Sequence, residues 1–505
     1  MRTFAPAQRI LRLRRNPQTT HRQIKTTSTL HNMKRIFLSL LFVLASAAAL
    51  AQQTPKYVFY FIGDGMGVNQ VNGTETYLAA RQGHIGTQPL LFAGFPNTGL
   101  VTTQSHSHGI TDSAAAGTAL ACGHKTYNNA IGLLTDSLTP ITSVAVWARE
   151  SGAAVGIATS VSVDHATPAS FYAHQKHRKK YYEIGQDLTR SGFDFFGGSD
   201  FLKPDDPTPG APDLYQQSRN AGYTIARGRE DFIKKRDKAE RIILLQTEQA
   251  SQRDRSSLPY AIDRTEQAMT LTEITQSAIE FLMKKNAQRF FCMIEGGKID
   301  WACHANDAAT AFEEVIDFDK AIGIAYDFYR QHPDETLIVV TADHETGGLA
   351  LGNSNYILRT DLLAHQRLSS YDYSRHLLEL RDKMGKDFDY DVVKRDLEEH
   401  FGFWRTLQPT PKQEQQLKEA YEKMMKKADK KSASLYSTEI ELADLAKRIL
   451  NHHAKIGWSS GLHTNGYVPV FAIGAGAEHF RGRIDNTEIP RTIARLAGYK
   501  MPEKQ

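Results

Sequence analysis

Five apolar runs, Val58–Ile62, Ala154–Ala158, Phe290–Ile294, Leu337–Val340 and Val468–Ile473, punctuate the chain and read as buried strands. Helical patterns lie between them. This alternation predicts an α/β fold with a mostly parallel central sheet between helical layers. In such sheets ligands bind outside the carboxyl ends of the strands. Here those ends are acidic: Gly63-Asp64-Gly65, Glu295-Gly296-Gly297 and Thr341-Ala342-Asp343-His344 follow three runs, and a fourth leads towards Val163-Asp164-His165. One acid after a strand is an ordinary turn residue or helix cap. Three such ends rich in Asp, Glu and Gly, with His beside them, point to a common site.

More than a hundred residues separate His344 from His463, more than a strand, helix and loop require, and a helical insertion is predicted at about 355–458. Asp391–His400, followed by Gly402, places Val393, Leu397 and Phe401 on one stripe. Thr410-Pro411-Lys412-Gln413 reads as a cap with Pro at the first helical position, opening a helix to about Lys427. Thr438 with Glu441 repeats the signal before Ile440–Leu450. His452 and His453 read as exposed helix-end residues favoured by the helix dipole. A lid, a dimer-interface cap, a docking surface and a solvated decoration all fit this segment.

The composition, 505 residues with 41% hydrophobic and 23% charged, is that of a folded protein and excludes a collagenous or low-complexity chain. Charge adds more when it is located. Nine of the 61 basic residues and none of the 56 acidic ones lie in residues 1–51, so the formal +5 becomes −4 for the remainder. A generally basic surface is excluded, and no nucleic-acid partner is evident. Met33-Lys34-Arg35, the apolar Ile36–Val43 and Ala49-Leu50-Ala51 form the three parts of a signal peptide at 33–51, with cleavage after Ala51. Residues 1–32 read as a basic extension, upstream of the export signal. The mature chain, 52–505, is expected to have no membrane span and to be periplasmic or secreted. Three cysteines cannot make a disulfide scaffold, and Cys122, Cys292 and Cys303 are expected to be buried thiols.

Several positions carry candidate chemistry. Asp300 and His304 share a helical face if Ile299 onward is helix, which suits a divalent metal and equally an i, i+4 ion pair. Asp343-His344 offers a hard oxygen beside an imidazole, and His463 lies on a Gly-flanked loop before a strand. Asp64 stands in Gly-Asp-Gly-Met-Gly, whose glycines let backbone approach an ion or form a tight turn. Thr111-Asp112-Ser113 opens an Ala-rich helix ending near Gly123. Ser113 falls in its first turn, where free N–H groups and the helix dipole favour an alkoxide and a phosphate. A plain helix cap is the other reading. No His–Asp relay is evident nearby, and a metal is the natural activator of such a hydroxyl.

Together GDGMG, TDSAAAGTA, HATPA, EGGKIDWACH, TADHETGG and GLHTNG resemble the alkaline phosphatases, in that family's order, over roughly Tyr57 to Gly474. The resemblance implies hydrolysis of phosphate monoesters through a phosphoserine at Ser113, with two Zn(II) and one Mg(II). By it, Asp64, Asp343 and His344 bind the zinc that activates Ser113, and Asp300, His304 and His463 bind the other. Glu295 and Thr167, with Asp64 bridging, match the magnesium site, whose oxygen ligands suit a hard ion. Arg178 matches the phosphate-binding arginine and Asp112 the residue that orients it. His165 stands where Asp is frequent and Trp301 where Lys or His is frequent, a combination similar to a subgroup of the family. Small phosphomonoesters are the implied substrates, and a homodimer is compatible with the resemblance. A phosphodiesterase on the same fold is the alternative enzyme, and a non-catalytic secreted zinc-binding protein the alternative of another class.

Overall fold

The computed structural model describes residues 54–502 except 207, 209, 355 and 427–438. The extension at 1–32, the signal peptide at 33–51, Lys427 and the Thr438 cap lie outside the described residues.

Strands β1 (Tyr57–Gly63), β2 (Asn97–Thr102), β3 (Ala154–Thr159), β4 (Phe195–Gly198), β5 (Tyr223–Arg227), β6 (Arg241–Leu245), β7 (Phe290–Gly296), β8 (Thr336–Thr341), β9 (Val468–Gly474) and β10 (Gly482–Asp485) form one sheet. Their order is β10-β2-β9-β8-β1-β7-β3-β4-β6-β5. β1, β3, β7 and β8 are buried along their whole length, as continuous apolar runs require when helices cover both faces. Every pairing is parallel except those of β9, which runs antiparallel to both β8 and β2. The largely parallel sheet predicted from the alternating pattern is therefore present, with one reversed strand. The reversal matters: His463 precedes β9, and only an antiparallel strand brings a residue before it to the edge reached by residues after β1, β7 and β8.

Register aligns that edge. Ile62 pairs with Glu295 on one side and with Thr341 on the other, so Asp64, Glu295 and Asp343 emerge side by side. A two-residue antiparallel ladder then joins His463–Thr464 to Glu345–Thr346.

The helices that position the site or the insertion are α1 (Val68–Arg81), α2 (Ser113–Cys122), α3 (Lys298–His304), α4 (Ala308–Gln331), α5 (Ser370–Met384), α6 (Tyr390–Phe401), α7 (Pro411–Met425) and α8 (Glu441–Ala454). α5 to α8 lie within the predicted insertion. Their side chains, Leu377, Val393, Leu397 and Leu417 among them, build a second apolar cluster against Tyr77 of α1 and Phe312 of α4. The capping box at Thr410 and Gln413 is formed, with Pro411 at the start of α7. α6 ends at Gly402 in the left-handed conformation, as its sequence pattern predicts. His453, expected to be exposed, is half-buried, because its Nε2 lies 3.1 Å from Gln413 Oε1 on α7; His452 is exposed. The three cysteines are buried free thiols. No helix among the described residues is long and apolar enough to cross a membrane.

Candidate active site

Asp112 caps α2, its Oδ1 accepting from the Ala115 N–H at 3.0 Å, which places Ser113 first in the helix and leaves its N-terminal dipole facing the site. Asp112 Oδ1 also accepts from the Asn129 N–H at 3.0 Å, while its Oδ2 accepts from Arg178 Nη1 at 3.3 Å. The Asn129 carbonyl holds the Arg178 N–H at 2.9 Å. One carboxylate thus ties the serine's helix to the arginine. The other guanidinium nitrogen, Nη2, lies 3.2 Å from His165 Nε2.

Ser113 Oγ is 3.2 Å from His344 Nε2, and that nitrogen is 3.3 Å from Asp64 Oδ1 and 3.2 Å from Asp343 Oδ2. Across the cleft, α3 presents Asp300 and His304 one turn apart, with His304 Nε2 at 3.3 Å from Asp300 Oδ2. His463 Nε2 is 3.6 Å from Asp300 Oδ1 and 3.1 Å from His304 Nε2. A third group joins Asp64, His165 and Glu295, with His165 Nδ1 at 3.8 Å from Glu295 Oε1. The Thr167 hydroxyl is buried and makes no hydrogen bond. Trp301, buried, stands edge-on to the His165 ring at 6.1 Å, with Lys298 Nζ 5.0 Å from its own ring. Asp64, His165, Glu295, Asp300, His304, Asp343, His344 and His463, singled out from the sequence, gather in three groups at this edge.

The hydrogen bonds around the imidazoles fix where their lone pairs point. His304 Nδ1 lies 2.7 Å from the Gly461 carbonyl and His463 Nδ1 2.8 Å from the Thr111 carbonyl, so both Nδ1 atoms carry protons. In the neutral rings that metal ligation requires, their Nε2 atoms, 3.1 Å apart, present two lone pairs towards each other and Asp300. Thr346 Oγ1 donates its hydrogen to Asp300 Oδ1 at 2.6 Å, which leaves the Thr346 hydroxyl oxygen to accept from His344 Nδ1 at 3.2 Å. His344 Nε2 therefore also presents a lone pair, towards Ser113, Asp64 and Asp343. Both Asp64 oxygens, Asp343 Oδ2 and Glu295 Oε1 are buried without a hydrogen bond. Buried acceptors that face only acceptors are costly, and a cation is the group that satisfies them. The donor sets fit: imidazole and carboxylate for two zinc-type sites, and oxygen-rich ligation around Glu295.

Electrostatics agree with that fit. Burial, reinforced by the charges of Asp343 and Asp300, pushes the Asp64 carboxyl well above its usual range. Asp343 rises to about 8, from burial and then from Asp300. Burial also opposes ionisation of Asp300, but His304, and after it His463 and His344, hold that carboxyl well below the usual range. Burial, with the neighbouring His463, lowers His344 and favours its neutral imidazole.

Gly65 lets the parts approach. Its φ is +73°, and a Cβ there would stand 2.8 Å from the Asp300 Cα. The tight turn of GDGMG is thus realised, and it brings the Gly65 backbone against the helix that carries Asp300. Sequence reasoning missed Thr346, which couples the two zinc-type groups, Thr159, which donates to Glu295, and Asn129, whose N–H holds Asp112. Thr346 stood inside TADHETGG, two residues past His344. Asn129 acts through its backbone and left no signal in side-chain chemistry.

The sequence profile described as alkaline phosphatase matches residues 55–197 and 200–499. "Alkaline phosphatase 3" of Bacillus subtilis (strain 168) is 31% identical over 463 residues, covering 89% of this chain and 90% of that one. The crystal structure of a cold-active alkaline phosphatase from the psychrophile Shewanella sp. superposes with TM-score 0.71 at 30% identity, over 88% of this chain and 100% of that one. A His-to-Asp mutant of the TAB5 alkaline phosphatase, described with Mg bound in its M3 site, matches with TM-score 0.62 at 27% identity, over 89% and 100%. With the profile running along almost the whole described sheet and with the donor groups gathered at its edge, this chain belongs to the alkaline phosphatase family.

Proposed function

We propose that this metal-dependent phosphomonoesterase works through a phosphoserine at Ser113. The observation that carries the reading is the placement of Ser113 Oγ at the N-terminus of α2, 3.2 Å from His344 Nε2, within a ring of buried acceptors that lack hydrogens to accept. Asp64, Asp343 and His344 would hold one zinc, and Asp300, His304 and His463 a second; Asp64, Glu295 and Thr167 would hold a magnesium. When bound, such ions lower the pKa of a nearby hydroxyl and stabilise charge on the attacking and leaving oxygens of an in-line displacement.

The chain's own residues supply the rest. Asp112 orients the Arg178 fork so that it can hold two phosphoryl oxygens, a bidentate contact that a lysine could not make. The free N–H groups at the start of α2 add partial positive charge where the phosphoryl group sits. The Ser113 oxygen attacks phosphorus, the ester oxygen leaves, and water later displaces the serine to release inorganic phosphate. Thr346 keeps the neighbouring imidazole and carboxylate in register. His165 faces Glu295 in the third group, and its imidazole there would weigh against a purely oxygen-ligated ion.

The three parts of the N-terminal segment support export and cleavage near Ala51, and the resemblance supports a homodimer. Mass spectrometry of the exported protein and its sedimentation velocity would test these two readings.

The central test is hydrolysis of p-nitrophenyl phosphate at alkaline pH before chelation, after chelation, and after zinc and magnesium are restored. Activity lost and regained, with acid-quenched phosphate found on Ser113 by peptide mass spectrometry, is the expected result. Turnover that survives in Ser113→Ala would defeat the phosphoserine route.

A further inference from the structure

The insertion holds another group of metal-ligating side chains, far along the chain from the catalytic motifs. His376 on α5 and Asp396 and His400 on α6 bring one ligand atom each to within 4.8 Å of one another. Asp396 and His400 are four apart, which puts them on one helical face, and His376 reaches across from the neighbouring helix. Asp396 shares that face with the buried Val393, Leu397 and Phe401, so a carboxylate is embedded in an apolar stripe. Such a group is costly to bury without strong partners. Its ion-pair partners among the described residues are the two imidazoles: His376 Nε2 at 2.7 Å from Oδ2, and His400 Nδ1 at 3.3 Å from Oδ1. His400 Nδ1 donates instead to the Asp396 carbonyl at 3.0 Å, so Oδ1 is buried without a hydrogen bond and Nε2 is the nitrogen His400 has to offer a metal.

The surroundings resemble a coordination pocket more than a surface ion pair. The His376 and His400 rings are 4.8 Å apart, and the fully buried Tyr373 ring packs against both, at 6.0 and 5.5 Å. The Tyr373 hydroxyl completes no well-formed hydrogen bond, yet after burial it is Asp396 that raises its pKa most, so it faces the same carboxylate. The His376 side chain is 34% exposed, which leaves a path from solvent to a carboxylate only 9% exposed.

We propose that His376, Asp396 and His400 form a structural site for a divalent transition-metal ion, zinc foremost, that clips α5 to α6. Two imidazoles and one carboxylate, with a phenol at the rim, form an N/O set suited to zinc and poor for magnesium or calcium. The group shares no residue with the catalytic donors, so its occupancy is separable from turnover. An ion that binds only the folded insertion stabilises it by mass action.

The test uses the full mature chain loaded with zinc and passed through a desalting column. Metal analysis of His376→Ala and His400→Ala should show one zinc equivalent fewer per chain than wild type, with p-nitrophenyl phosphate hydrolysis unchanged. A folded variant with wild-type zinc content would overturn the proposal. The wild-type protein gives an independent reading that does not depend on a variant folding. Added zinc should cut diethyl pyrocarbonate modification of the His376 and His400 peptides several-fold, while the exposed His84 stays reactive. Equal modification with and without zinc would leave the three as an ion-pair triad and sink the metal site.

Discussion

Two buried polar clusters lie a few residues apart and are built on opposite principles. At the catalytic edge, Asp64, Asp343, Asp300, His304, His344 and His463 turn acceptors towards acceptors, with several oxygens lacking any hydrogen to accept. Just past His304, Asp307 begins a network in which charges are answered. Its carboxylate accepts from Gln366 Nε2 at 2.9 Å and from the Ser370 N–H at 2.9 Å. Ser370 Oγ lies 2.7 Å from Glu439, which pairs with the buried Lys447. The second cluster is complete as protein and joins the insertion to the helix after the active site. The first is complete only with cations. Burial alone therefore does not mark a functional site; unanswered convergence does.

The sharpest way to break the comparison is at Ser113, the proposed nucleophile. Ser113→Ala removes no metal ligand of the second zinc-type group and leaves the Asp112 cap intact, so the protein should fold, while kcat falls by about a thousandfold or more, as losses of a covalent nucleophile do. Stopped-flow and steady-state assays on the metal-loaded variant would measure it.

Lys447→Met attacks the completed cluster instead. It strands the buried Glu439 without its counter-ion, and removing one partner of a buried pair costs about 3–5 kcal/mol. Denaturant unfolding should show that loss, with the activity of the folded fraction retained. Thr346→Val tests the shell around the open cluster. It deletes the hydroxyl that serves both Asp300 and His344, and apparent zinc affinity should drop by roughly 10- to 100-fold with little change in the melting profile. Competition with a chromophoric chelator reads that affinity.

A further test concerns pH. Asp263 accepts from the Ser369 N–H at 2.7 Å at the seam with the insertion, and burial, with Asp372 nearby, lifts its pKa from 3.8 to about 8. A carboxyl that holds its proton more tightly in the folded state stabilises the fold below its unfolded pKa. That contribution fades as pH rises from about 4 to about 8. Asp263→Asn, which cannot ionise, should show a shallower fall in melting temperature across that window than wild type. An identical slope would remove Asp263 from the account.

Much of this was legible from the chain because the chemistry sits in short motifs. The strand runs ending in Asp64, Glu295 and Asp343-His344 announced both the sheet and its working edge, and the Asp300–His304 spacing announced a helical face. Asp396 was not legible in the same way. Its place among Val393, Leu397 and Phe401 was visible, but a lone acid on an amphipathic helix reads as solvated until the partner helix is known. His453 failed for a similar reason, since Gln413 meets it from another helix.

The sequence by itself determined the alternating fold, the capped helix that begins at Ser113, and the residue types able to hold metal. Those depend on local periodicity and on side-chain chemistry, which neighbours along the chain carry. Only the tertiary structure decided that β9 runs backwards and delivers His463 to the shared edge. It also decided which imidazole nitrogen keeps its proton, through carbonyls of Gly461 and Thr111 and the hydroxyl of Thr346. Direction and protonation are set by contacts between segments separated by as many as 352 residues, and no local pattern encodes them.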